Sequence, residues 1–191
     1  GVGIWNADSL GNHRVIVSVD KPADAVLATI DWRRRDLNPE AKNLIVVDAA
    51  TGERITNVCR FTIDRERGEV VFQPQTVPGE YYIYYLKNVM SGSPYYPTVN
   101  YPAFENTASA DWVKKNKLSG KKAPALPAAK VVQFQAINEL NSFYPMEVIA
   151  TSNETARLLK EHPGEKYILF TEDRKFPIRM TTDIPYKWIA D

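Results

Sequence analysis

The chain has 191 residues, 44% of them hydrophobic and 25% charged, which is enough for one sizeable globular core and argues against intrinsic disorder. Its 24 Lys and Arg nearly cancel 23 Asp and Glu, so no general field recruits nucleic acid or an anionic membrane. One cysteine excludes an internal disulfide framework, two histidines are too few for the usual Cys/His zinc site, and no apolar run has the roughly 18 residues that span a bilayer.

Residues 1–12 lack the basic start and apolar stretch of a signal peptide. From His13 onward, short alternating segments are separated by turn chemistry. HRVIVSV places Val15, Val17 and Val19 on one strand face, and KPAD ends it. AVLATIDWR alternates Val26, Ala28, Ile30 and Trp32 with Leu27, Thr29, Asp31 and Arg33. NLIVVDAATGERI turns at residues 50–52 into ERITNVCRFTID, where Val58, Arg60 and Thr62 oppose Cys59, Phe61 and Ile63. DRERGEVVFQP predicts a hairpin with Gly68 at a positive-φ position, and Pro78-Gly79 predicts a type II turn before the strand EYYIYYL.

Residues 87–107, rich in Pro, Gly, Ser and aromatics and without a period, predict a long irregular loop. SADWVKKNKL predicts a short helix with Ser109 as N-cap and Asp111 in the first turn, and residues 119–130 have the composition of a semi-rigid linker. VVQFQAI is again a strand. TSNETARLLKEHPG predicts a second helix, capped by Thr151 with Glu154 and ended by Pro163-Gly164; KYILFTED predicts a last strand. The tail from Arg174 stays apolar and aromatic, so a fragment of a longer protein is expected, with the Phe176–Trp188 stretch covered by a further domain.

The fold expected is mainly β: an antiparallel β-sandwich of immunoglobulin or galactose-binding type, with a long aromatic loop and one or two short helices. The division expected is a sandwich over 1–110, a short helix and linker over 111–130, and a strand-helix-strand over 131–191 that packs back on the sandwich and begins the connection to that further domain.

Chemistry-bearing residues are few. In DWRRRD, alternation puts Arg33 and Arg35 with Asp31, but Arg34 with Ile30 and Trp32. Arg34 is then either an anion or sugar ligand beside an aromatic platform or a strand-end guanidinium paired with a carboxylate, and pairing is favoured. Tyr81 to Tyr85 put aromatics on both faces of their strand and belong mainly to the core. The loop aromatics Tyr95, Tyr96, Tyr101 and Phe104, with Trp112 just beyond, could instead stack on sugar C–H patches; Trp32 and Arg34 complete the candidate carbohydrate-binding set. The acid pairs Asp64 with Glu66 and Glu172 with Asp173 sit at turn and strand-end positions, where solvated charge outweighs a glycosidase pair. His13 starts a strand, His162 ends a helix, and Cys59 lies on an apolar face as inert packing. No phosphate loop, dinucleotide fingerprint, metal motif or serine elbow is present, so no catalytic residue, metal or cofactor is expected.

The segments LGNHRVIV, IDWRRRDLNPEAKNLIVVDAATGERI, PGEYYIYYL, NSFYPMEVIAT and FTEDRKFPIRM resemble the N-terminal region that precedes the catalytic domain in proteins related to glycoside hydrolase family 123, common in gut Bacteroidetes. The resemblance covers most of the chain. It implies a β-sandwich accessory domain ahead of a barrel-type catalytic domain, in periplasmic or extracellular enzymes with the signal peptide removed, acting on N-acetylgalactosamine-containing glycans. It also implies that catalysis uses an adjacent Asp-Glu pair; this chain has only Glu172-Asp173, in reverse order, so the motif does not carry over. The partner expected is thus the C-terminal catalytic domain of the same chain, with glycan as a second ligand. A free-standing carbohydrate-binding module and an envelope adhesion or interaction module are the alternatives.

Overall fold

The computed structural model describes residues 2–137, except 33, 35 and 37, together with Lys160. The chain divides into two compact units, Gly1–Ile137 and Asn138–Asp191. Of the helix expected at 151–164 only Lys160, helical and exposed, is among the described residues; the strand at 166–173, the tail, His162 and the Glu172-Asp173 pair fall outside them.

In chain order the elements are α1 (Ala7–Leu10), β1 (His13–Val19), β2 (Val26–Ile30), a 3-10 turn (Pro39–Ala41), β3 (Ile45–Asp48), β4 (Arg54–Ile55), β5 (Val58–Ile63), β6 (Gly68–Phe72), β7 (Gly79–Tyr84), β8 (Val89–Ser93), β9 (Tyr96–Asn100), α2 (Ala110–Lys115) and β10 (Ala128–Ala136). Eight strands form one sheet in the order β4-β3-β7-β1-β10-β2-β6-β5, and β8 and β9 pair apart from it. The fold is mainly β with two short α-helices, as the alternation predicts.

The sheet curls because β10 serves two neighbours. Lys130 to Ala136 pair antiparallel with β1, while Ala128 and Ala129 pair parallel with β2. Residues 128–130, expected to end a linker, are therefore the first part of β10. Its second half extends from residue 131 onward, as VVQFQAI predicts.

Register shows how the curl makes a core. Directly paired residues share a face, so Val46, Ile83 and Val15 form one inner row and Val26, Phe72 and Val58 another on the opposite half. All six are at most 3% exposed. Rings bridge the halves: Phe72 lies 4.9 Å from Tyr81, and Trp32 lies 5.0 Å from Tyr85. Aromatic contacts at this separation add to the transfer free energy of such large buried side chains.

The outer face of the β2–β6–β5 half is covered too. Leu27 and Cys59 flank Val71 there, and α2 packs over them with Trp112 and Val113, joined by Leu118 and Leu126. Ser109 caps α2 as its spacing predicts, accepting from the Trp112 amide. The Trp112 indole donates to the Asp24 carbonyl, and Asn116 and Lys115 bind the Asp24 carboxylate, which pins the helix at both ends.

Two glycines act differently from expectation. Gly68 and Gly79 are absent from the positive-φ glycines, Gly11, Gly52 and Gly92. A Cβ on Gly68 would stand 2.6 and 2.9 Å from two carbons of the Trp32 ring and closer still to Cη2. Close approach, not backbone conformation, requires glycine there. The Val77-Pro78 peptide is cis rather than the trans bond of a type II turn. Asp48, fully buried, secures this corner by accepting from the amides of Ala50, Thr51 and Thr76, while the Tyr81 hydroxyl accepts from Gln75 N and donates to Thr76 O. Burial opposes the charged Asp48 carboxylate, but hydrogen bonding from the Thr76 side chain, then from these amides, outweighs it and holds its pKa below the ordinary value.

Candidate functional site

Burial continues to alternate past the end of β2. Asp31 is exposed, while Trp32 is 2% and Arg34 6% exposed, so the guanidinium enters the core face, on the side that alternation predicts. Arg34 lies 4.9 Å from the Trp32 ring and donates from Nε and Nη2 to the two oxygens of Asp36, at 2.9 and 2.8 Å. Lys42 Nζ meets the same carboxylate at 2.8 Å. Burial raises the pKa of Asp36, but bonds from Arg34 and Lys42 overcome this and lower it. The strand-end pairing expected of Arg34 is thus realised with Asp36; Arg33 and Arg35 lie outside the described residues.

From Asp36 the cluster runs outward. Lys42 sits 3.9 Å above the Tyr101 ring, and burial, then the Asp36 charge, raises the Tyr101 hydroxyl pKa. The segment after β9 is held to the 3-10 turn by the bonds Asn43 N to Pro102 O and Phe104 N to Ala41 O. This places Phe104 against Arg60, with the guanidinium carbon 3.5 Å from the ring centroid.

Arg60 shares its row with Ala28 and Val70, the inner face of β5. Its Nη1 donates to Lys42 O, and its buried Nε has no hydrogen-bond partner. Desolvation, then the nearby charge of Arg34, lowers its pKa to about 10, with Glu40 acting in the opposite sense. A cleft of about 220 Å³ opens beside it, lined by Glu40, Arg60, Phe61, Phe104 and Asn106 among others. A carboxylate, an amide and a guanidinium beside two aromatic rings make a chemistry suited to a polyhydroxy ligand of monosaccharide size.

The structure thus brings Trp32, Arg34, Tyr101 and Phe104 together through side chains far apart in sequence. It also shows which of them face the core: Trp32 is covered on its ring face, and Trp112 lies 5% exposed beneath α2, because the apolar side of that short helix turns onto the sheet. Sequence reasoning missed Arg60, Glu40, Lys42 and Asn106. The alternation had put Arg60 opposite Cys59, which was the available signal; a register shift between Arg60 and Ile63 then returns Ile63 to the core face. Cys59 is half-buried, and burial raises its thiol pKa, in keeping with inert packing. Asp64 accepts from the amides of Glu66 and Arg67, which makes it a turn former.

Tyr95 and Tyr96 are 87% and 82% exposed. They cap not an irregular loop but the β8–β9 hairpin, every residue of which is exposed. The ladder was hidden because Ser, Gly and Pro interrupt the apolar alternation of both strands.

Among the described residues no group of three or more His, Cys, Asp and Glu could hold a metal, and no helix is long and apolar enough to cross a membrane. Comparison with curated proteins and with solved structures gives no match. Residues 3–137 match the family model described as glycoside hydrolase 123, N-terminal domain, which spans nearly all of the described β structure. The chain therefore belongs to the glycoside hydrolase 123 N-terminal domain family.

Proposed function

We propose that this chain is the accessory N-terminal domain of a secreted glycan-degrading enzyme acting on N-acetylgalactosamine-containing glycans, in the periplasm or outside the cell. Family membership over residues 3–137 is the observation that carries this reading, since a domain of that family implies a catalytic partner domain. Its work is to support that domain and to add sugar contacts. Two features support the second role: the cleft beside Arg60 and Phe104, and the solvent-facing rings of Tyr95 and Tyr96. Those rings also favour a second reading, a carbohydrate-binding module that acts without a hydrolase.

The experiment is hydrolysis of a chromogenic N-acetylgalactosaminide by the natural full-length polypeptide and by the purified 191-residue chain. The first should release product and the second should not. A full-length polypeptide that binds the glycan on an array but hydrolyses nothing would favour the binding module.

A further inference from the structure

Elsewhere in this protein a buried guanidinium finds an acceptor for its Nε: Arg34 donates it to Asp36 at 2.9 Å, and Arg14 donates it to Gln135 at 2.8 Å. Arg60 does not. Its Nη1 is spent on Lys42 O at 2.8 Å, its Nε is buried without a partner, and among the described residues no carboxylate pairs with it. Nε and Nη2 form the edge of a guanidinium that grips an oxyanion through two parallel bonds, as Arg34 grips Asp36. A buried N–H left unbonded destabilises a fold, and this one stands beside a cleft.

The surroundings are cationic. Among the described residues Arg34, Lys42 and Arg60 bring three positive charges together with two carboxylates, Asp36 and Glu40, and Asp36 is occupied by Arg34 and Lys42. Glu40 lines the same cleft but forms no ion pair with Arg60, so the local balance favours a negative ligand. The guanidinium is also held in place in advance: its carbon lies 3.5 Å from the Phe104 ring centroid, and the Phe104 amide is bonded to Ala41 O. The remaining lining suits a sugar ring. Phe61 and Phe104 supply an apolar wall, Glu40 accepts hydroxyls, and Asn106, whose Oδ1 is taken by the Ala108 amide, keeps Nδ2 to donate. A volume of about 220 Å³ admits one sugar residue.

We propose that the Arg60 cleft binds an acidic sugar, with the carboxylate or sulfate ester of that sugar on the Nε–Nη2 edge of Arg60 and its hydroxyls on Glu40 and Asn106. This rests on the accessory-domain reading, and it narrows the sugar contact made there from any polyhydroxy ligand to a charged one.

The test is titration calorimetry of the 191-residue chain with matched sugars: D-glucuronate against D-glucose, and D-galacturonate and D-galactose 6-sulfate against D-galactose. At least one acidic sugar should bind about tenfold or more tighter than its neutral counterpart, since a hydrogen bond to a charged group is worth that much. Preference for the 6-sulfate alone would assign the sulfate ester, and preference for a uronate alone the carboxylate. Arg60→Lys keeps the charge but loses the fork, and should remove most of the preference. Glu40→Gln, at an exposed position, removes a neighbouring negative charge and should raise the preference for the acidic sugar severalfold, because hydroxyl contacts cancel in the ratio. Equal affinities in every comparison would overturn the proposal, as would a preference that survives Arg60→Lys intact or fails to rise in Glu40→Gln. Inorganic sulfate or acetate bound as tightly as the acidic sugars would also overturn it, because the cleft would then take any anion, an acidic side chain of another polypeptide included. The hydrolysis assay is read separately. A full-length enzyme that is active while the cleft shows no acid preference refutes this site alone, and acid preference in a full-length polypeptide that hydrolyses nothing refutes the accessory-domain reading alone.

Discussion

Removing Asp36 perturbs the buried centre of the charge cluster. Its carboxylate side chain is 7% exposed and faces Arg34 at 2% and Lys42 at 12%, with three contacts of 2.8 to 2.9 Å. In Asp36→Ala both cations keep their burial and lose their anion, and breaking a pair of this kind costs about 3–5 kcal/mol. Trp32, 4.9 Å from the Arg34 guanidinium carbon, makes indole fluorescence in a urea titration a local and global reporter. A chain of this length should then melt roughly 10 °C lower. The pH dependence fixes the mechanism. The folded pKa of Asp36 lies below its unfolded value, so its stabilisation is complete above about pH 4 and fades as pH falls through the folded value. The gap between parent and variant should therefore be full at pH 7 and shrink in acid. A loss at pH 7 under about 1 kcal/mol, the range of a surface pair, would refute the reasoning.

Gly68→Ala should destabilise by about 1–3 kcal/mol, because the new methyl meets the Trp32 ring, itself locked against Tyr85; chemical denaturation measures it, and a loss within roughly 0.5 kcal/mol, the surface range, would contradict the close approach. Asp48→Asn exchanges an acceptor for a donor against Thr76 N and should cost about 1–3 kcal/mol at neutral pH, read by the same titration. Since the folded pKa of Asp48 is also lowered, that deficit too should narrow below about pH 4.

Much of the sheet was legible because burial has a period of two. Val15, Val17 and Val19, or Ala28, Ile30 and Trp32, announce their inward face with no tertiary information, and the same rule carried Arg34 inward. What alternation cannot say is which strand lies beside which. The insertion of β10 between β1 and β2 depends on two pairings of different sense, and nothing in AAKVVQFQA encodes its neighbours. The site was legible in the same uneven way. Tyr101 and Phe104 stood out as loop aromatics, but their cationic partners Lys42 and Arg60 come from segments 40 or more positions earlier. Trp112 read as part of that group because a six-residue helix carries too little pattern to reveal which side faces the sheet.

The claim that this domain works by supporting a hydrolase is tested most directly by deleting residues 1–137 from the natural full-length enzyme. Thermal stability of the remaining hydrolase and its turnover of an N-acetylgalactosaminide are the readouts. The account predicts a lower melting temperature and reduced turnover, with neither restored by adding glycan. A truncated hydrolase as stable and as active as the parent would contradict it.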